Sequence, residues 1–188
     1  QVVFLDAVER SGQLAAFADA VLDQALAAAY EWGQAGFPIP VAVNVSPRSL
    51  LDPAFPEAIE RRLTARRIPP DFLVIELTES VTLSQLEVVD EVLGALRTMG
   101  VRLALDDFGT GYSSLATLAR VPVDELKIDR GFVSELDLSA PSAVVRSTIE
   151  LGRSLNLEVV AEGVETEDQR LQLWELGCPA GQGHLFAR

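Results

Sequence analysis

Residues 103–115 read LALDDFGTGYSSL, and the fold is decided here. A short apolar run stops at two adjacent carboxylates, Asp106 and Asp107, and a loop with two glycines follows at once. An apolar run that ends in polar groups and turns directly into a glycine loop is the pattern of a buried strand in a parallel sheet, where functional groups collect at the carboxyl end. Neighbouring carboxylates repel each other, so something must offset their juxtaposition.

The same pattern recurs in both directions. VAVNVS (41–46), FLVIELTES (72–80), VRLALDDF (101–108), ELKIDR (125–130), LEVVAEGVE (157–165) and GQGHLF (181–186) predict strands. Helices are predicted at about 13–32, 54–66, 84–99, 113–120, 141–155 and 167–176, where apolar residues return every three or four positions. Pro69–Pro70, Gly100, Pro122 and Gly177 punctuate the joins. Alternating strands and helices predict the α/β class, with a mainly parallel sheet covered by helices. A doubly wound sheet and most of a (β/α)8 barrel both fit six strands. A complete barrel needs about 250 residues, so this chain of 188 is about two units short.

With 48% hydrophobic and 23% charged residues, the composition is that of a globular domain able to bury a core. No apolar run approaches the roughly 18 residues of a membrane helix, and no secretory pattern is present. Cys178 is the only cysteine, which fits a reducing cytoplasm. The net charge of −13 argues against nucleic-acid polymers and anionic membranes as partners. An acidic protein still binds a phosphorylated ligand when cations neutralise the local field.

The polar residues gather at one end of the strands. Asn44 follows VAV, Glu76 and Glu79 follow LVI, Asp106 and Asp107 follow LAL, Lys127 lies within LKI, Glu162 and Glu165 follow VVA, and Gln182 sits in the last strand. A lone aspartate at a strand end usually caps a helix or shapes a turn. Recurrence on strand after strand points instead to a built rim. Oxygen donors without histidine or cysteine suit Mg²⁺, Mn²⁺ or Ca²⁺ rather than zinc or copper. Two ions bridged by one carboxylate would explain the aspartate pair, and paired metals clamp the attacking and leaving oxygens of phosphoryl transfer. The glycine loop, residues 108–114, can close over such a site; it also reads as a turn with a helix cap at Ser113, and both can hold together. A Walker loop and a Rossmann glycine pattern are absent, and His184 is the only histidine.

Taken in order, VAVNVSPRSL, ELTES, LALDDFGTGYSSL, LKIDRGFV, VVAEGVET and GQGHLF resemble the successive motifs of EAL-domain cyclic di-GMP phosphodiesterases. The resemblance implies a bacterial signalling domain with a (β/α)8 TIM-type barrel, one strand reversed. It implies Mg²⁺- or Mn²⁺-dependent hydrolysis of cyclic di-GMP to linear pGpG, with two ions. By the same resemblance Asn44, Glu76 and Asp106 are ligands of the first metal, and Asp106 bridges to a second that Asp107 also binds. Lys127 holds the attacking water, and Glu162 is general base or second-metal ligand. Glu79 anchors the loop formed by Phe108, Gly109, Thr110, Gly111, Tyr112, Ser113 and Ser114. Gln182 lies near metal and substrate, and Glu165 supports the site. A homodimer is expected of the family, as is a cytoplasmic domain, free or within a membrane-anchored parent. A noncatalytic cyclic di-GMP receptor or protein-interaction module is the competing reading; it would have lost Asp107, Lys127, Glu162 or the loop, and all are present.

The Glu-Ala-Leu triplet itself is missing. QVVFLDAVERSGQL resembles the segment that follows it, so the first two strands are expected upstream of Gln1, within a larger signalling protein. PEAIE at 56–60 falls on a predicted helix and does not replace it. The missing glutamate would be a first-metal ligand, so the chain as given is expected to turn over poorly. His184 stands where the family often has tyrosine.

Overall fold

A computed structural model of the chain describes residues 14–78, 86–109, 118 and 121–186. Two compact units emerge: Gln1–Glu76 with Leu83–Arg102, and Leu77–Thr82 with Leu103–Arg188.

In the first unit, α1 (Leu14–Gln34) leads to β1 (Val41–Asn44). Leu22, Leu26 and Ala29 are buried at four- and three-residue spacing, which gives α1 a single apolar stripe. A short helix α2 (Pro47–Leu50) follows, capped by the Ser46 hydroxyl, which accepts the Ser49 N–H. Next come α3 (Phe55–Arg66), a 3-10 turn at Pro70–Phe72 and β2 (Leu73–Thr78). β1 and β2 are parallel, with Val41 opposite Leu73 and Asn44 opposite Glu76. α4 (Leu86–Met99) buries Val89, Val92, Leu93 and Leu96 and stops at Gly100, whose φ of 99° suits glycine.

In the second unit, β3 (Arg102–Phe108) is followed by β4 (Glu125–Ile128), the short helix α5 (Arg130–Ser134), α6 (Ser139–Leu155), β5 (Glu158–Ala161), α7 (Glu167–Leu176) and β6 (Ala180–Gly181). β3, β4, β5 and β6 pair in that order, all parallel. α6 turns Val145, Thr148, Ile149 and Gly152 inward. A capping box between Thr166 and Gln169 starts α7, and Gly177 ends it in the left-handed conformation.

The predicted elements largely form, with informative differences at their ends. The strand predicted over 125–130 stops at Ile128, because the Asp129 carboxylate turns back to accept the Gly131 N–H and cap α5. The one predicted over 157–165 stops at Ala161, ahead of Gly163 at φ 70°. GQGHLF contributes only Gly181 to β6; a turn follows, in which the Phe186 N–H donates to the Gly183 carbonyl. The two short helices, α2 and α5, were not predicted. Of the helix predicted over 113–120 only Leu118 is described, and it is helical. Glu79 and Thr110, Gly111, Tyr112, Ser113 and Ser114 lie outside the described residues.

Candidate active site

In a regular strand Asp106 and Asp107 would project from opposite faces of the sheet. They do not, because the register between β3 and β4 shifts after Leu105: Leu105 faces Leu126, yet Phe108 faces Ile128. The extra residue is absorbed as a bulge, with Asp107 in the left-handed conformation at φ 55°. Aspartate tolerates that conformation better than most residues. The Asp107 N–H donates to Asp106 Oδ1 at 3.0 Å. As a result Asp106, Asp107 and Glu162 each present a carboxylate oxygen within 4.8 Å of the other two.

Lys127 stands among these acids. It occupies the middle of β4 with only 3% of its surface exposed. Its ammonium is ion-paired with Glu162 Oε1 and lies 3.8 Å from Asp106 Oδ1. A buried ammonium needs such partners, since its desolvation costs several kcal/mol. Glu162 is set just beyond β5, where its N–H donates to the Ile128 carbonyl at 3.0 Å. Gln182 follows β6; its N–H donates to the Ala161 carbonyl at 2.9 Å, and its side-chain amide donates to Glu162 Oε1 at 2.7 Å. Three successive strand ends thus fix one carboxylate.

Asp107 is the proton-sensitive member. Partial burial, the adjacent Asp106 and the nearby Asp129 push its pKa up, and Lys127 opposes them. A hydrogen bond to Asp129 also favours its protonated form. Asp129 was not singled out in the sequence, where it falls inside the strand predicted over 125–130, although it follows LKI as the other acidic residues follow their strands.

In the first unit, the Asn44 side-chain amide donates to Glu76 Oε2 at 2.7 Å, across the paired ends of β1 and β2. Glu76 is buried. Glu165 does not join the carboxylate cluster: its side chain is exposed, and its N–H donates to Gln169 Oε1 at the entry to α7. Phe108 is buried at the end of β3. Gly109 has φ 99°, and a Cβ there would come within 3.2 Å of the Phe132 ring.

The donor set in the second unit is all oxygen, with three carboxylates converging, which fits a hard divalent cation. The class so defined is the α/β proteins that hold such a cation at the carboxyl ends of parallel strands. The chain belongs to the EAL domain family, whose model matches residues 2–188.

It is 41% identical over 189 residues to the bifunctional diguanylate cyclase/cyclic di-GMP phosphodiesterase MucR of Pseudomonas aeruginosa, a match that takes in 98% of this chain and 27% of MucR. It is 42% identical over 169 residues to the cyclic di-GMP phosphodiesterase RocR of the same organism, covering 89% of this chain and 43% of RocR. The chain therefore spans less than half the length of these curated relatives. Among solved structures, the PaMucR phosphodiesterase in complex with c-di-GMP superposes with a TM-score of 0.90 at 40% identity, covering 98% of this chain and 76% of that one. The α/β class and (β/α)8 barrel-type fold expected from the sequence are those of these EAL neighbours.

Proposed function

We propose that this domain hydrolyses cyclic di-GMP to linear pGpG with the help of two Mg²⁺ or Mn²⁺ ions. The observation that carries the proposal is the buried Lys127 held between Asp106 and Glu162, with Asp107 brought alongside by the bulge. Similarity to phosphodiesterases named for this substrate supports it.

Asp106 and Asp107 would hold cation in the second unit, with Glu162 either a third ligand or the proton acceptor beside them, and Asn44 and Glu76 are assigned as further ligands by the family motif. When bound, divalent cations neutralise phosphate charge and activate water. The protein's own groups do the rest. Lys127 donates a hydrogen bond that fixes the attacking water. Glu162 accepts the proton of that water as it attacks phosphorus, unless its carboxylate is engaged as a ligand; Gln182 keeps that carboxylate in place. The bond from phosphorus to the 3′ oxygen breaks and the released hydroxyl takes up a proton.

Glu165 and the loop from Phe108 to Ser114, anchored by Glu79, are assigned to substrate contact and site support. The domain is proposed to work as a homodimer within a larger cytoplasmic or membrane-anchored signalling protein. No helix among the described residues is long and apolar enough to cross a membrane. The test is pGpG formation from cyclic di-GMP by the natural polypeptide, with Mg²⁺ or Mn²⁺ and again with the cation chelated. Binding of the nucleotide without turnover would favour the receptor reading.

A further inference from the structure

Hydrolysis of a phosphodiester needs two proton transfers. The attacking water must lose one proton, and the 3′ oxygen must gain one as its bond to phosphorus breaks. Glu162 is assigned to the first, and the second needs a donor of its own. Lys127 is buried and committed to Asp106 and Glu162. The chain has a single histidine, His184, and histidine is the side chain best suited to give up a proton near neutral pH. His184 borders a cavity of about 450 Å³ in the second unit, together with Glu162, Gln182, Arg130 and Phe186. It therefore shares one space with the carboxylate assigned to the water.

The turn that carries His184 is stitched to the segment that carries Glu162. Val164, two residues beyond Glu162, donates its N–H to the Gln182 carbonyl at 3.0 Å, and its own carbonyl accepts the Leu185 N–H at 3.0 Å. Between these two bonds, Gly183 lies flush against Val164: a Cβ there would come within 2.2 Å of the Val164 carbonyl oxygen. The obstacle is backbone, which cannot swing aside as a side chain can. His184 is thus fixed at its base, while its ring is exposed and forms no hydrogen bond or ion pair with a described residue. The charged groups around the same cavity are Glu162, beyond β5, and Arg130, at the start of α5.

We infer that His184 is the general acid that protonates the leaving 3′ oxygen. The inference rests on the proposed phosphodiesterase reading. Water oxygen bonds to phosphorus and gives its proton to the acceptor already assigned. The bond from phosphorus to the 3′ oxygen breaks, its electron pair stays on that oxygen, and the His184 imidazolium supplies the proton. His184 then regains a proton from solvent, so one water is consumed and no other reactant is needed.

The test compares the natural full-length protein with its His184→Gln and His184→Ala variants, all with Mn²⁺, on two substrates. One is cyclic di-GMP; the other is the analogue with sulfur in place of the bridging 3′ oxygens. A thiolate is a far weaker base than an alkoxide and departs without a proton. Both variants should lose about 10²-fold in kcat on cyclic di-GMP with little change in KM. On the sulfur analogue they should keep pace with the parent. Thermal unfolding and Mn²⁺ titration serve as controls on fold and cation site. Variants that match the parent on cyclic di-GMP overturn the inference and leave the phosphodiesterase reading standing. An equal loss on both substrates also overturns it, since that marks a structural role. A parent that forms no pGpG removes the reading and the inference together.

Discussion

The ammonium of Lys127 and the carboxylate of Glu162 form an ion pair between neighbouring strand ends, β4 and the residue after β5. The group assigned to hold the water and the group assigned to take its proton are therefore one electrostatic unit.

Replacing Lys127 with methionine should accordingly do more than remove a hydrogen bond. Breaking a buried pair leaves an uncompensated charge and costs on the order of 3 kcal/mol. In the cation-free protein that should appear as a clear fall in unfolding temperature, measured by calorimetry with chelator present. Mn²⁺ should recover much of the loss, because a cation among Asp106, Asp107 and Glu162 replaces the missing charge. An equal loss with and without Mn²⁺ would argue against a shared cation site.

Asp107 predicts a pH dependence. Its pKa is raised by burial first, then by Asp106 and Asp129, so the folded state holds its proton more tightly than the unfolded state does. Its stabilising contribution is present in acid and is lost as pH rises through the raised value. Without cation, Asp107→Asn should be more stable than the parent above the raised Asp107 pKa, and the advantage should vanish as pH falls below it. Cation affinity of the parent should fall over the same window, since protons compete for the same oxygens. Urea unfolding and Mn²⁺ titration across that range check both; a pH-independent difference would contradict them.

Packing of α6 on β5 predicts a third effect. A Cβ at Gly152 would come within 2.2 Å of Val159 Cγ2, and valine is stiff at χ1. Gly152→Ala should destabilise the protein by about 1–3 kcal/mol through overpacking. Adding Val159→Ala should recover part of that loss, a coupling that denaturant unfolding of the single and double variants would reveal.

Cys178 is buried, and burial pushes its thiol pKa up. Its Sγ donates to the Ala180 carbonyl at 3.3 Å. The thiol should resist iodoacetamide at neutral pH and react only on unfolding. Alkylation of the native protein at the rate of the unfolded chain would place it elsewhere.

How far the sequence carried this account depends on the physical source of each feature. Apolar runs such as LVI and LAL identified buried strands because a parallel sheet hides both faces. The polar residues after them identified the rim for the same reason. The bulge was not legible. Nothing in the letters of Asp106 and Asp107 says that the second adopts φ 55°, since that follows from the pairing of β3 with β4. Asp129 was passed over because the strand was drawn through to residue 130, whereas it ends at Ile128 and leaves Asp129 to cap α5 and face Asp107. Glu165 matched its motif yet sits exposed beside the α7 cap, a placement that spacing along the chain does not encode. The short strand β6 was overdrawn because the run was read through Gly183, a residue that signals a turn, and the turn does follow there.

The most direct test of the central claim is cyclic di-GMP turnover by the natural full-length polypeptide and its Glu162→Gln variant, with Mg²⁺ or Mn²⁺. The account predicts pGpG from the parent and a fall of about 10²-fold or more in the variant, the scale of a lost general base, with folding intact. A parent that forms no pGpG with cation present, or a variant that keeps most of the parent's rate, would contradict it.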